Sequence, residues 1–242
     1  MMVDLSWYLL IGLLVFFGFI VRVVTGFGSA LIVAPLLSLL MEPKDAVVFI
    51  ILLECAIGVV FLARERLNFT KKPIFLGGGA GVLAGIVLFG LVTQRLVGFT
   101  IGLAVLIVSL IFLTNVTFRT EREGTLFIML GFISGSMGVL TGINGPQIVL
   151  GLVNQGYDSS FIRSCMITYL IVIDYMTLAS FTLAGYLTMN VLKLLAWSVP
   201  FIICSYAVGT FALNFVDPER LKRIMLISTL LAGILAIWKF VP

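Results

Sequence analysis

Two short polar segments interrupt a chain that is otherwise almost continuously apolar. They are Thr25-Gly26-Phe27-Gly28 and Thr141-Gly142-Ile143-Asn144, and each precedes a shorter apolar run that contains a proline. Glycine lets the backbone leave a helix, and the freed amide groups then need partners that lipid does not offer. Irregular backbone at membrane depth is tolerated only where it is buried in protein or lines a cavity. We therefore expect the two breaks to share one binding site.

The chemistry expected at such breaks is the binding of an anion. A helix N-terminus presents unpaired amide groups and roughly half a positive charge. Asn144 is a preferred N-cap residue, and Pro146 suits a first helical turn. The alternative is that both breaks only allow close helix packing. The predicted substrate-binding residues at the breaks are Thr25, Gly26, Gly28, Ser29, Thr141, Gly142, Asn144, Gly145 and Gln147.

Four ionisable residues lie within or beside apolar runs, where a charge is costly and usually functional. Arg22 precedes the first break, and its planar fork suits a sulfonate, a sulfite or a carboxylate. We assign it to the site, with a structural pair to Glu54 or a carbonyl cap as the alternative. Arg163 is a second candidate for the anion, or an interfacial anchor. Glu54 and Asp174 could couple protons to transport or neutralise an arginine.

The composition excludes most other classes of protein. The chain has 242 residues, 61% hydrophobic and 11% charged, with a mean hydropathy of +1.24. A soluble domain of this size would carry about a quarter charged residues, so we expect an integral membrane protein. There is no histidine, and the three cysteines lie in apolar runs. We expect no catalytic constellation, no metal, no cofactor and no nucleic-acid partner.

The apolar runs fall into two similar halves, 1–118 and 119–242. Aligning Thr25-Gly26 with Thr141-Gly142 shifts the chain by about half its length, as in transporters built from two related halves. The 12 residues after the first break would extend about 18 Å, too short to cross a core of about 30 Å. Each half therefore reads as a re-entrant hairpin and three spans. The predicted hairpins are 5–40 and 124–153, and the spans are 46–63, 73–92, 96–114, 160–184, 191–215 and 221–240.

An odd number of crossings in each half inverts the second half relative to the first. The loops Arg64–Lys72, Asn115–Glu123 and Val216–Arg223 then lie on one side with most of the basic residues. Because short cytoplasmic loops are rich in lysine and arginine, the sequence favours inversion with both termini outside. In that arrangement the two helix N-termini after the breaks point at one another across the bilayer midplane.

The two motifs resemble the sulfite exporter TauE/SafE family of bacterial membrane transporters. The resemblance covers nearly the whole chain and rests on 26–35 (GFGSALIVAP), 142–146 (GINGP) and 161–165 (FIRSC). Ser29 and Asn144 stand where the family often has glycine, and the Thr-Ser pair common early in the next helix is missing after Pro43. The resemblance implies export of sulfite or an organosulfonate such as sulfoacetate.

The sequence thus predicts a secondary transporter in the cytoplasmic membrane of a bacterium. It would export a small sulfur-containing anion by alternating access, with the anion held at the two opposed helix N-termini. An anion channel with the same site, or a carrier of a carboxylate anion, is the alternative. A homodimer is also possible, and the sequence does not decide between uniport and proton coupling.

Overall fold

The computed structural model describes residues 5–64, 67–114, 119–212, 215 and 218–241, with only the backbone for 218–225. The predicted boundary at residue 118 and residues 65–66, 115–118 and 216–217 of the basic loops lie outside the described residues. The described chain is helical and contains no strand, which confirms the all-α prediction. Its helices are α1 Leu5–Thr25, α2 Ser29–Leu40, α3 Pro43–Arg64, α4 Lys72–Leu91, α5 Gln94–Leu113, α6 Glu123–Thr141, α7 Pro146–Asn154, α8 Ser159–Leu183, α9 Met189–Ala212 and α10 Pro218–Phe240.

Seven of these helices (α1, α3, α4, α5, α6, α8 and α9) are long and apolar enough to cross a membrane. The two helices that follow the breaks are short, with 12 residues in α2 and 9 in α7. At 1.5 Å per residue neither reaches across a hydrocarbon core of about 30 Å. The most buried long helix is α3, which lies at the centre of the molecule.

Each short helix folds back along the long helix before it. A methyl group on Gly18 of α1 would overlap the side chain of Val33 in α2. Farther along, the indole Nε1 of Trp7 donates to the carbonyl oxygen of Leu40 at 3.4 Å, so α2 ends near the beginning of α1. In the same way Gly151 of α7 lies against Leu130 of α6. Both segments are helical hairpins whose tips are the polar breaks.

The helices pack in pairs that correspond between the two halves. If α1–α5 are matched in order with α6–α10, the contact of α4 with α6 corresponds to that of α9 with α1. The contact of α4 with α8 corresponds likewise to that of α9 with α3. The matching exchanges α3 with α8 and α5 with α10. Each of these two helix pairs is therefore matched with itself, and each joins one helix from either half. The division of the chain into two repeats stays a prediction.

The helix ends collect on two opposite sides of the molecule. On one side the backbone amide of Lys44 donates to Gln94 at 2.8 Å, and Lys239 donates to the carbonyl of Leu39 at 2.9 Å. On the other side Asn68 donates to Ser164 at 3.1 Å. The first hairpin therefore has its ends on one side, and α8, after the second hairpin, begins on the other.

A polar cluster joins the helix beginnings on that second side. Lys71 forms a salt bridge with Glu123 at 2.9 Å, and both contact the hydroxyl of Tyr157. Burial opposes the charged form of Lys71, but its hydrogen bonds with Tyr157 and Glu123 outweigh this, and the pKa of Lys71 is raised. The cluster fixes α4 against α6 just outside the apolar region.

The close pairing of α4 with α6 depends on glycine. A methyl group on Gly81 of α4 would overlap the backbone carbonyl of Phe132 in α6, and one on Gly135 would overlap the carbonyl of Gly78. Small residues let two membrane helices approach to backbone contact. These glycines therefore hold the two halves of the chain together.

We expect Gly81→Ala to destabilise the protein by about 1–3 kcal/mol, because the added methyl group forces the two backbones apart. Gly79→Ala in the same helix is the matched control, since its methyl group would lie 3.1 Å from the flexible end of Met176. Thermal unfolding in detergent measures both variants. An equal melting temperature for the two would contradict the packing argument.

Candidate functional site

The two breaks have the same local geometry. Gly26 and Gly142 both adopt left-handed backbone conformations, with φ of 83° and 76°. The threonine before each glycine donates to its own helix, Thr25 to Val21 at 2.9 Å and Thr141 to Met137 at 2.7 Å. A side chain with a Cβ is strained at such φ values, so glycine is needed for the turn.

The segments after the two breaks meet at a small cavity. The first turn of α2 and the residues leading into α7 both line it. Helix geometry leaves the first amide groups of α2 without intrahelical partners, and those near the start of α7 likewise, apart from Pro146, which has none to offer. The cavity has a volume of about 10 Å³, room for about one water molecule. It is lined by Arg22, Gly28, Ser29, Ala30, Leu31, Glu54, Ile143, Asn144, Gly145, Pro146 and Leu170.

Among the described residues Arg22 is the one cation of this lining, and its guanidinium already contacts other groups of the protein. Its side chain is 2% exposed, and Nε lies 3.1 Å from Oε2 of Glu54, although the two atoms are not aligned as a hydrogen bond. Nη1 donates to the carbonyl oxygen of Gly26, and the guanidinium lies 5.7 Å from the ring centre of Phe61. Both alternatives to ligand binding, the pair with Glu54 and the carbonyl cap, are thus present.

Each helix N-terminus holds one of the two buried carboxylates. At α2 the hydroxyl of Ser29 donates to Oε1 of Glu54. At α7 the amide of Asn144 donates to Oδ1 of Asp174 at 2.5 Å. The carbonyl of Asn144 in turn accepts from the hydroxyl of Ser134, which fixes the residue on α6. The two N-termini are therefore built alike, although their carboxylates come from different helices.

The two carboxylates also lie at the same level of the molecule. The hydroxyl of Tyr175 donates to the backbone carbonyl of Cys55 at 3.2 Å, so α3 and α8 pack next to Glu54 and Asp174. Both acids are 5% exposed or less and lie near the middle of their helices. The other buried oxygen of Asp174, Oδ2, has no hydrogen-bond partner among the described residues.

A search of protein families matches this chain over residues 10–236 to the family described as "Sulfite exporter TauE/SafE". The chain belongs to the TauE/SafE family. It is a multi-pass membrane protein of a transporter family, as the sequence predicts. No curated protein and no solved structure matches the chain.

Within this TauE/SafE chain, five of the predicted substrate-binding residues line the cavity and six do not. Those in the lining are Arg22, Gly28, Ser29, Asn144 and Gly145. Thr25, Gly26, Thr141 and Gly142 shape the two turns instead. Gln147 has a buried amide oxygen without a partner among the described residues, and Arg163 donates to the carbonyl of Val23 at 2.9 Å.

One local expectation about α7 is wrong. The helix begins at Pro146, which makes Gly145 its N-cap residue, and Asn144 precedes the cap. The side chain of Asn144 bonds Asp174 rather than the first turn of α7. The bond gives the buried Oδ1 of Asp174 a donor, as buried polar atoms require.

Two residues that contribute to the site of this TauE/SafE chain were not predicted from the sequence. Ser134 looks like a small packing residue within α6, yet it anchors Asn144. Leu170 lines the cavity from α8, and the shift that takes Thr25 to Thr141 also takes Glu54 to Leu170. That correspondence was the available signal: the second half has an apolar side chain at the position where the first half has an acid.

The groups at the cavity are of the types that suit an anion, but the cavity is closed around its own acidic side chains. It offers two helix N-termini, a guanidinium and side-chain donors in a region shielded from water, where each is stronger than in solvent. Every one of those side-chain donors contacts a protein carboxylate or carbonyl in this conformation. A sulfonate is several times larger than water, so binding requires the cavity to open.

We expect Arg22→Met to destabilise the TauE/SafE chain by about 3–5 kcal/mol, because it leaves Glu54 buried without its cation. Adding Glu54→Gln should recover most of that loss, since no unpaired charge then remains. Thermal unfolding of both variants in detergent tests this.

Lys71→Met is the control, because its salt bridge to Glu123 is partly exposed and is worth about 1 kcal/mol or less. A double variant that is no more stable than Arg22→Met would show that the ion pair does not hold this region together.

Proposed function

We propose that this protein exports a small sulfur-containing anion, sulfite or an organosulfonate such as sulfoacetate, across the cytoplasmic membrane of a bacterium. The anion binds between the N-termini of α2 and α7 and contacts Arg22. The observation that carries the proposal is the meeting of these two N-termini at one cavity beside a buried arginine. Membership of a sulfite exporter family supplies the class of substrate.

The proposal includes inverted repeats. The correspondence of helix contacts supports two related halves, and the placement of the hairpin ends on opposite sides supports their inversion. The side that carries Arg64, Lys71, Lys72, Arg119 and Arg122 is then cytoplasmic by the excess of basic residues. The anion site falls near the bilayer midplane, as expected for transporters of this construction.

We further propose alternating access as the mechanism. A cavity with room for about one water molecule favours a carrier over an open channel, because a channel needs a continuous pore. Rearrangement of the two hairpins around α3 and α8 would open the cavity to one side at a time.

A carboxylate anion is the second candidate substrate, and one observation favours it. The donors at α2 already hold a carboxylate, that of Glu54, through Arg22 and Ser29. A sulfonate presents a third oxygen, which could use the amide groups at α7. The comparison of matched substrates therefore decides between the two classes.

We expect proteoliposomes loaded with unlabelled isethionate to accumulate radiolabelled isethionate by counterflow. Isethionate should be transported about tenfold faster than β-hydroxypropionate, which replaces the sulfonate by a carboxylate on the same carbon skeleton. The double variant Arg22→Met/Glu54→Gln should lose counterflow, because the cation that binds the anion is gone. Arg95→Gln, at an exposed position, is the control and should keep it.

Three other results would change the proposal. Full counterflow in the double variant would remove Arg22 from the site. Faster transport of β-hydroxypropionate would assign the protein to carboxylates. Counterflow of neither compound nor of sulfite would contradict anion transport.

A further inference from the structure

The anion site already contains two acidic side chains, and both belong to the protein. Glu54 accepts a hydrogen bond from Ser29 and forms a salt bridge with the guanidinium of Arg22. Asp174 accepts a hydrogen bond from the side-chain amide of Asn144. These are the side-chain donors that a transported anion needs. The incoming anion therefore competes with Glu54 for the same positions.

The charges of the site balance only in certain combinations. Arg22 is the one cation that lines the cavity among the described residues, and Glu54 cancels its charge. If an anion entered while Glu54 stayed ionised, the buried site would carry an excess negative charge. Such a charge is costly in a region shielded from water unless it is paired or neutralised.

We propose that each transported anion moves together with one proton, which is carried by Glu54. In the empty site ionised Glu54 pairs with Arg22. In the loaded site the anion replaces Glu54 at Arg22 and Ser29, and Glu54 takes a proton from water on the side where the anion enters. The proton returns to water on the side where the anion leaves. This inference rests on the proposed function and assigns its coupling ion.

Asp174 differs from Glu54 in its surroundings. No salt bridge reaches it among the described residues, and its Oδ2 is buried there without a hydrogen-bond partner. An ionised Asp174 would thus be a buried charge without a counterion, whereas a protonated Asp174 is neutral. In the proposed cycle Asp174 keeps its proton in both states and Glu54 alone changes charge.

The side chains around Glu54 leave few other carriers for the proton. The helix α1 contributes Arg22, which stays charged, and α2 contributes only the hydroxyl of Ser29. The sequences of α5 and α6 place their charged residues at the first turns, far from the cavity. A second guanidinium, that of Arg163 on α8, lies against Gly26 and donates to the carbonyl of Val23, and it stays charged. The remaining titratable groups on α3, α8 and α9 nearby are Cys55, Tyr169, Asp174, Tyr175 and Tyr206.

Coupling of this kind makes transport of a monoanion electroneutral. The site is neutral both empty and loaded, so the membrane potential does no work on either step. A uniporter would instead move one negative charge in each cycle and respond to the potential. Proton movement and potential dependence therefore distinguish the two mechanisms.

Isethionate is the appropriate probe, because a sulfonate does not titrate near neutral pH and cannot carry the proton itself. Proteoliposomes hold isethionate and a pH-sensitive dye, and the potential is clamped with potassium and valinomycin. Efflux should make the lumen more alkaline by one proton per isethionate. Its rate should not change between zero and about 100 mV of imposed potential.

Glu54→Gln should separate the two movements. Glutamine can still accept from Ser29 but carries no titratable proton, so net efflux of isethionate from the variant should occur without any change in luminal pH. Net efflux of that variant should become dependent on the potential, because the empty site now returns with a positive charge. Glu42→Gln, an exposed acid bonded to Gln94, is the control and should behave as the unmodified protein does.

Potential-driven efflux without a pH change in the unmodified protein would overturn the coupling and leave the proposed function intact. Proton movement that persists in Glu54→Gln would overturn the role of Glu54. Absence of transport of isethionate, β-hydroxypropionate and sulfite by the unmodified protein would overturn the proposed function, and the coupling with it.

Discussion

The constraint on which this structure depends is that a broken helix in hydrocarbon must satisfy its freed backbone groups. At the two breaks the freed carbonyl groups and the freed amide groups are satisfied to different extents. The carbonyls are taken by side chains, with Arg22 on Gly26, Arg163 on Val23 and Ser134 on Asn144. The first turns of α2 and α7 line the cavity instead, and helix geometry leaves amide groups there without intrahelical partners. Because the carbonyls have side-chain partners and the helix N-termini do not, the region between the two breaks has a positive potential.

The positive potential explains why acids collect where an anion should bind. Glu54 and Asp174 come from α3 and α8, the helices that pack against each other at the centre. Each is held by a donor from one hairpin, so the hairpins are bonded to the central pair through groups that a substrate can displace. Binding and movement of the hairpins are thereby linked in a single set of contacts.

Many of the helices and both breaks can be predicted from local sequence, because the length of an apolar run and the position of a glycine act within one helix. The breaks at Gly26 and Gly142 are examples, and the ends of α2 are where the sequence places them. The roles of Thr25 and Thr141 were also local: a threonine in the last turn readily bonds its own helix. From the sequence both are assigned to the ligand, and that assignment stays a prediction. Leu170 and Ser134 could not be found locally, since only packing between α8, α6 and the hairpins brings them to the site.

A structure of the protein with bromoethanesulfonate bound tests the account most directly, because bromine marks the ligand by its anomalous scattering. The account predicts the sulfonate between Ser29 and Asn144, on the guanidinium of Arg22, with the carboxylate of Glu54 displaced from that arginine. A ligand bound elsewhere, or bound while Arg22 and Glu54 remain paired, would contradict it.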